Sequence, residues 1–199
     1  MTINHIASIP VGIYINDNRT EHQDFYSLDY HDKDSSFSRT VSTAVLDNTH
    51  LKDWIEIQLK NYTVNALATH QKLKITQSWC LKHSNRKSRV YPHTHTNSIV
   101  SGAYYIKCDN NSSPLQIVSP SPLSRGQIDW DYDSTLLQHQ AWMWKNYEIF
   151  PEEGMLVLFP SSLEHKVPES IDTDDRCVLS FNTWFDGPIG NEEAMNLLS

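Results

Sequence analysis

Histidines are the side chains of this sequence whose spacing points most directly to chemistry. Ten occur among 199 residues, and His93 and His95 stand two apart in the segment YPHTHTNS. If the backbone is extended there, both side chains point the same way and can reach one metal ion. His165 follows an apolar segment and a turn, so a neighbouring strand can place it opposite the pair. Three imidazoles on one face of an octahedral ion leave the opposite positions open.

The second candidate for a functional site is an arginine whose alternate neighbours along a predicted strand are polar. Arg176 lies eleven residues after His165, and Ser180 and Asn182 share its side of a predicted strand. A polar inward face needs water or a ligand, because an unpaired buried guanidinium costs several kcal/mol. The alternative is a surface ion pair with a preceding aspartate, worth about 0–1 kcal/mol. The opposite parity is apolar and predicts packing between sheets: Cys177, Leu179 and Phe181.

One helix and several strands must position these side chains. Asn48 or Thr49 can cap a helix, and one apolar stripe follows at helical spacing: Leu51, Trp54, Ile55, Leu59 and Tyr62. Alternation with period two predicts a strand over 73–81. Further strands are predicted at 98–107, 115–118, 142–150, 155–159 and 177–185, bounded by residues that favour turns. An entry strand over 9–15 precedes an exposed loop over 16–39. The pattern favours an all-β sandwich or barrel in one domain, 1–199.

Composition excludes several classes of protein. The formal net charge of −8 disfavours nucleic acid as a partner. We find no apolar run long enough to span a bilayer and no secretion signal, so no membrane partner is expected. Three cysteines without CxxC spacing indicate neither a disulfide framework nor a thiolate zinc site. These features favour a soluble protein of the reducing cytoplasm.

The candidate residues belong to a longer series of motifs. HxH at His93 continues into NSxxSGxYY, which ends at Tyr105; GxLxxFPSxLxHxV then contains His165, and RxxxSFN begins at Arg176. This order, over about residues 75–184, resembles the 2-oxoglutarate and Fe(II) dependent oxygenases of the uncharacterised phage and bacterial type. The resemblance implies a mainly β fold, a double-stranded β-helix (a cupin-like jelly roll) with one or a few packing helices.

The resemblance also implies an enzyme with Fe(II) at the open mouth of the jelly roll and 2-oxoglutarate as co-substrate. In the wider superfamily the first metal motif is His-x-Asp or His-x-Glu, whereas here the third position is His95. We expect His93, His95 and His165 to be the ligands. The alternative set is His95 and His165 with Asn97 or water. A neutral triad leaves the ion its full charge, which favours a dianionic co-substrate.

The same resemblance assigns the co-substrate contacts. Arg176 is expected to bind the distal carboxylate of 2-oxoglutarate through two hydrogen bonds, with Ser180 and Asn182 on the same inward face. Tyr105 or Tyr104 can donate a hydroxyl to a co-substrate carboxylate, or is an ordinary aromatic of the barrel.

The function expected is hydroxylation of a small molecule or peptide; neither the prime substrate nor the oligomeric state follows from the sequence. One alternative is a cupin-like three-histidine dioxygenase that does not use 2-oxoglutarate. Another is a non-enzymatic jelly-roll module for binding or for a virion.

The remaining candidates have structural interpretations. The segment 119–140 is long for a loop and suggests a lid or substrate loop. Trp130, Trp142 and Trp144 can line a substrate groove, although aromatic residues more often anchor a core or loop. The other histidines share no spacing and are interpreted as surface or capping residues: His5, His22, His31, His50, His70, His83 and His139.

Overall fold

Strands dominate the computed structural model of this protein, which describes residues 9–32, 37–83, 88–118, 146–170 and 175–190. In chain order the elements are β1 (Gly12–Ile15), α1 (His22–Tyr26), β2 (Tyr30–Asp32), β3 (Ser38–Thr40), α2 (His50–Ala66), β4 (Leu73–His83), β5 (Val90–His93), β6 (Val100–Lys107), β7 (Leu115–Val118), β8 (Asn146–Ile149), β9 (Met155–Pro160), β10 (His165–Val167) and β11 (Arg176–Phe185).

These strands form two antiparallel sheets. The larger sheet has the order β1-β9-β6-β11-β4-β3-β2, and the smaller has the order β5-β10-β7-β8. From β4 to β11 the chain passes from one sheet to the other after every one or two strands. This winding is that of a double-stranded β-helix, and it confirms the jelly roll predicted from the sequence.

Helix α2 begins where the sequence predicts. The Thr49 hydroxyl accepts a hydrogen bond from the backbone N–H of Lys52 at 3.2 Å, and the Glu21 carboxylate accepts one from the N–H of Leu51 at 2.7 Å. Both oxygens occupy the positive end of the helix, where N–H groups lack partners inside the helix. The predicted stripe faces the larger sheet with its buried members Leu51, Ile55, Leu59 and Tyr62.

Helix α2 covers one face of the larger sheet, and this changes one expectation. The apolar parity of β11 packs on the helix side with Ile55 and not between the sheets: Cys177, Leu179 and Phe181. The opposite parity faces the smaller sheet, where Val178 packs with Ile117 and Val157. Parity correctly separates the two faces of a strand, but it does not identify the layer that covers each face.

Short elements are the other differences from the sequence prediction. The segment 16–39, expected to be a loop, contains α1, β2 and the first two residues of β3, and Phe25 of α1 is buried in the cluster on the helix side of the larger sheet. Strands β5 and β10 have four and three residues, too few for a visible alternation. The described part of the strand predicted over 142–150 contains β8. Residues 119–145, with Trp130, Trp142, Trp144 and the predicted 119–140 loop, lie outside the described residues.

No helix among the described residues is long and apolar enough to cross a membrane. All three cysteines are free thiols, with Cys80 and Cys177 buried and Cys108 partly exposed.

The glycine of the SGxYY motif makes room for an aromatic ring. Gly102 on β6 pairs with Phe181 on β11, and a Cβ atom there would overlap Cζ of that ring. We expect Gly102→Ala to lower the free energy of unfolding by about 1–3 kcal/mol, as overpacking does, measured by urea denaturation. Adding Phe181→Leu should recover part of the loss. An unchanged midpoint for Gly102→Ala would contradict this packing.

Candidate metal centre and co-substrate pocket

The three predicted histidines meet at one end of the jelly roll. His93 ends β5, His165 begins β10, and the two residues are paired in the register of these antiparallel strands. His95 lies in the turn after β5, where its backbone N–H donates to the carbonyl of Ser161 at 2.9 Å. One potential ligand atom from each imidazole lies within 4.8 Å of the others. A pair two residues apart and a residue seventy positions away therefore form one cluster.

Backbone carbonyls orient two of the imidazoles. Nδ1 of His93 lies 2.8 Å from the carbonyl oxygen of Tyr91, and Nδ1 of His165 lies 2.9 Å from that of Leu163. A carbonyl oxygen can only accept, so each Nδ1 carries the proton and donates it. The lone pair of each ring is then on Nε2, the nitrogen left for a metal.

Side chains of the larger sheet orient the third imidazole. Nδ1 of His95 lies 2.7 Å from Oδ1 of Asn182 and 2.6 Å from Oγ of Ser101. The Ser101 hydroxyl is in turn 2.8 Å from that of Ser161. Since the amide oxygen accepts, this Nδ1 also carries a proton, and its Nε2 carries the lone pair. Such partners fix the tautomer and the ring orientation of histidines that bind metals.

The three rings turn their lone pairs toward one another. Nε2 of His93 and Nε2 of His95 are 3.2 Å apart, and the ring centroids of His93 and His165 are 4.3 Å apart. Two acceptor nitrogens at this distance repel each other unless a cation or a proton lies between them. Imidazole is a good donor for Fe(II), so the donor set fits an iron ion bound through three Nε2 atoms.

Burial keeps His95 and His165 in the protonation state that a metal needs. It lowers the pKa of His165 to about 4, with smaller contributions from the two neighbouring imidazoles, while the bond to Leu163 acts in the opposite direction. Burial also lowers the pKa of His95. These rings are therefore neutral at pH 7 and need not lose a proton to bind an ion.

The inward face of β11 leads from the histidines into the barrel. Asn182 touches His95, Ser180 is partly exposed, and Arg176 is 1% exposed. Asn182 stands six positions after Arg176, which is about 20 Å along the strand. The Arg176 guanidinium donates to the carbonyl of Ser113 at 2.6 Å. The predicted co-substrate residues thus occupy one face, with Arg176 at its deep end.

His83 lies beside Arg176, and this corrects its interpretation as a surface or capping histidine. It is 1% exposed, and Nδ1 lies 3.2 Å from Nη2 of Arg176. Burial, and then the charge of Arg176, lower the pKa of His83 to about 2. The ring is therefore neutral and can accept a hydrogen bond from the guanidinium. His83 lies on β4 directly across from Arg176. The spacing between histidines in the sequence does not indicate this pairing.

The two tyrosines of the SGxYY motif face opposite ways. Tyr104 lies on the helix side, where its hydroxyl is 2.9 Å from Nε2 of His22. Tyr105 is buried in the cluster between the sheets and pairs with Val178 on β11. Of the pair, Tyr105 is the one on the inner face. Asn97, the alternative ligand, is exposed and has a left-handed φ of 53° in the turn after His95.

Two residues near the histidines carry no sequence signal of a site. Trp79 on β4 lies 6.2 Å from the ring of His95, and Arg39 on β3 stacks 4.7 Å from the Trp79 ring. The alternation of β4 indicates that Trp79 shares a face with Leu81, but the site becomes visible only when β3 and β4 pair.

Comparison with known proteins identifies this architecture. A family described as "Putative 2OG-Fe(II) oxygenase" matches residues 77–182, which is more than half of the chain. The chain belongs to this family of 2-oxoglutarate and Fe(II) dependent oxygenases. It is an oxygenase whose cofactors are Fe(II) and 2-oxoglutarate. No sequence among curated proteins matches the chain.

Solved structures show the same fold at low sequence identity. HygX from Streptomyces hygroscopicus, with nickel, 2-oxoglutarate and hygromycin B bound, superposes with a TM-score of 0.59 and 12% identity, over 88% of this chain and 82% of HygX. A Pseudomonas putida prolyl-4-hydroxylase gives 0.54 and 10%, over 88% and 92%. The viral collagen prolyl hydroxylase vCPH of Paramecium Bursaria Chlorella virus-1, in complex with 2-oxoglutarate, gives 0.53 and 8%, over 87% and 95%.

Removal of one imidazole tests the ligand set. We expect the wild type to retain one equivalent of Fe(II) after anaerobic loading and gel filtration, and His165→Ala to retain none, because two neutral nitrogens hold Fe(II) far more weakly than three. Metal analysis gives the iron content, and near-UV circular dichroism checks the fold. Asn97→Ala and the exposed His70→Ala are the controls and should keep their iron. Iron retained by folded His165→Ala, or lost from Asn97→Ala, would contradict this set.

Proposed function

We propose that His93, His95 and His165 hold the Fe(II) through their Nε2 atoms. The observation that carries this proposal is that every Nδ1 lies against an oxygen acceptor, which leaves three lone pairs directed toward one another. The alternative set with Asn97 uses a neutral amide oxygen, a weaker donor for Fe(II) than imidazole. Asn182 then acts as a positioning residue, since its Oδ1 is engaged with His95.

The neutral ligand set has an electrostatic consequence. Without a carboxylate among the three ligands, the ion keeps its two positive charges, and the site attracts the dianion 2-oxoglutarate strongly. When bound, Fe(II) and 2-oxoglutarate supply the oxidising chemistry that converts a C–H bond to C–OH. The chain binds and orients these groups and excludes water from them.

The inner face of β11 is the proposed co-substrate channel. Arg176 is buried at its deep end and is suited to hold the distal carboxylate of 2-oxoglutarate with two parallel hydrogen bonds. Ser180, partly exposed, stands between Arg176 and the histidines. Tyr105 lies on the same inner face and is the tyrosine that we assign to a co-substrate carboxylate. The bond from Arg176 to Ser113 keeps the side chain ordered.

The prime substrate is proposed to be a small molecule or a peptide. The similar folds include one protein with hygromycin B bound and a prolyl-4-hydroxylase, so the fold accommodates both classes. Membership of the family favours an enzyme that uses 2-oxoglutarate over the cupin-like dioxygenase and the non-enzymatic module.

We further propose that residues 1–199 form one domain, because β1 to β3 and α2 extend or cover the sheet that contains β11. A cytoplasmic location stays a prediction from the free cysteines.

Co-substrate titration tests the role of Arg176. We expect Arg176→Ala to weaken 2-oxoglutarate binding by about 2–4 kcal/mol, because a buried carboxylate loses its charged partner. Arg176→Lys keeps the charge without the two-pronged geometry and should weaken it less. The anaerobic Fe(II) protein is titrated by the absorbance band that appears when 2-oxoglutarate binds.

Iron content is the internal control, since neither Arg176 variant should lose the metal. Should Arg176→Ala be too unstable, Arg176→Lys alone still gives a measurable affinity. Equal 2-oxoglutarate affinities in wild type and in these variants would overturn the anchor.

A further inference from the structure

A second arginine faces the inside of the jelly roll near the metal centre. Arg39 on β3 pairs with Leu81 on β4, and paired residues share a face of the sheet. Leu81 packs against the cluster between the two sheets, so Arg39 is on the inner face. Its guanidinium lies 4.7 Å from the Trp79 ring centroid, and the same ring is 6.2 Å from that of His95. One indole therefore contacts Arg39 and lies beside a proposed metal ligand.

Arg39 has no anionic partner in the part of the chain that the structure describes. No carboxylate there lies within 4.0 Å of its nitrogens, and its buried Nε lacks a hydrogen-bond acceptor. Burial lowers the pKa of Arg39, as happens when a cation loses water without gaining a counter-charge. A half-buried guanidinium in this state is costly to the fold unless a ligand supplies an acceptor.

A second stack in the same protein provides the contrast. Arg89 lies 4.7 Å from the ring of Tyr91, the same separation as in the Arg39 stack. Its Nη1, however, lies 2.9 Å from the Glu169 carboxylate, in an exposed ion pair. The two arginines share an aromatic support and differ in the carboxylate. An arginine that rests on an aromatic ring presents its N–H edge in a fixed orientation, which suits a planar carboxylate.

We propose that Arg39, supported by Trp79, binds a carboxylate of the prime substrate. This inference rests on the proposed function, in which both charges of 2-oxoglutarate already have partners: the metal at one end and Arg176 at the other. A further cation beside the same centre therefore implies a further anion. In the larger sheet β4 separates β3 from β11, so Arg39 lies two strands away from Arg176 on the same inner face.

The site thus selects a prime substrate with a carboxylate at a distance from the carbon that is hydroxylated. A carboxylate matches one planar guanidinium with two hydrogen bonds. Trp79 adds an apolar surface against which the body of the substrate can rest.

The test uses benzoate as the probe and benzamide as its neutral counterpart. The ¹⁵N-labelled protein is loaded with Zn(II), which is diamagnetic, and saturated with 2-oxoglutarate, and the arginine Nε–H resonances are recorded during titration. The Arg39 signal is identified by its loss in Arg39→Gln. We expect benzoate, but not benzamide, to shift this signal. Arg39→Gln should weaken benzoate binding at least about tenfold, and Arg39→Lys should weaken it less.

Arg89→Gln is the matched control. It removes an arginine that stacks on an aromatic ring at the same distance but is already paired with the carboxylate of Glu169. Benzoate affinity should be unchanged in it. An Arg39 signal that benzoate leaves unmoved would overturn the inference. So would a shift that appears only without 2-oxoglutarate, since Arg39 would then hold the co-substrate. The wild-type affinity for 2-oxoglutarate, measured in the same samples, reports separately on the proposed function.

Discussion

The orientation of three imidazole rings is the constraint on which the site depends. Each ring must donate a hydrogen bond from its Nδ1–H to an oxygen, so that its Nε2 lone pair faces the other two rings. The acceptors are the carbonyl of Tyr91 for His93, the carbonyl of Leu163 for His165, and the side chain of Asn182 for His95. Without these bonds each ring could flip and turn an N–H group toward the other two rings.

The jelly roll supplies these acceptors because both sheets end at the same place. His93 and His165 belong to paired strands of the smaller sheet, whereas Asn182 and Ser101 belong to adjacent strands of the larger one. The site therefore spans the gap between the sheets, and the packing that joins them also sets its geometry.

Much of this arrangement is predictable because chemistry and periodicity are local properties. The HxH spacing, the later His165 and the inward parity of Arg176 are visible in the sequence, as are the stripe of α2 and most long strands. Cross-strand partners are not local, and the errors follow from this. His83 is buried beside Arg176, its partner on the neighbouring strand, and the apolar side of β11 meets a helix because α2 covers that face. Arg39 meets Trp79 only through strand pairing.

The tautomers of the three rings test the central claim most directly. In the Zn(II)-loaded, ¹⁵N-labelled protein, two-bond ¹⁵N–¹H correlation spectra distinguish a protonated ring nitrogen from one that binds metal. We expect His93, His95 and His165 all to carry the proton on Nδ1 and to bind the ion through Nε2. Replacing Asn182 by alanine should remove the Nδ1–H signal of His95 through faster exchange with water. Coordination through Nδ1 of any of the three rings, or a spectrum in which only two rings respond to the metal, would contradict this claim.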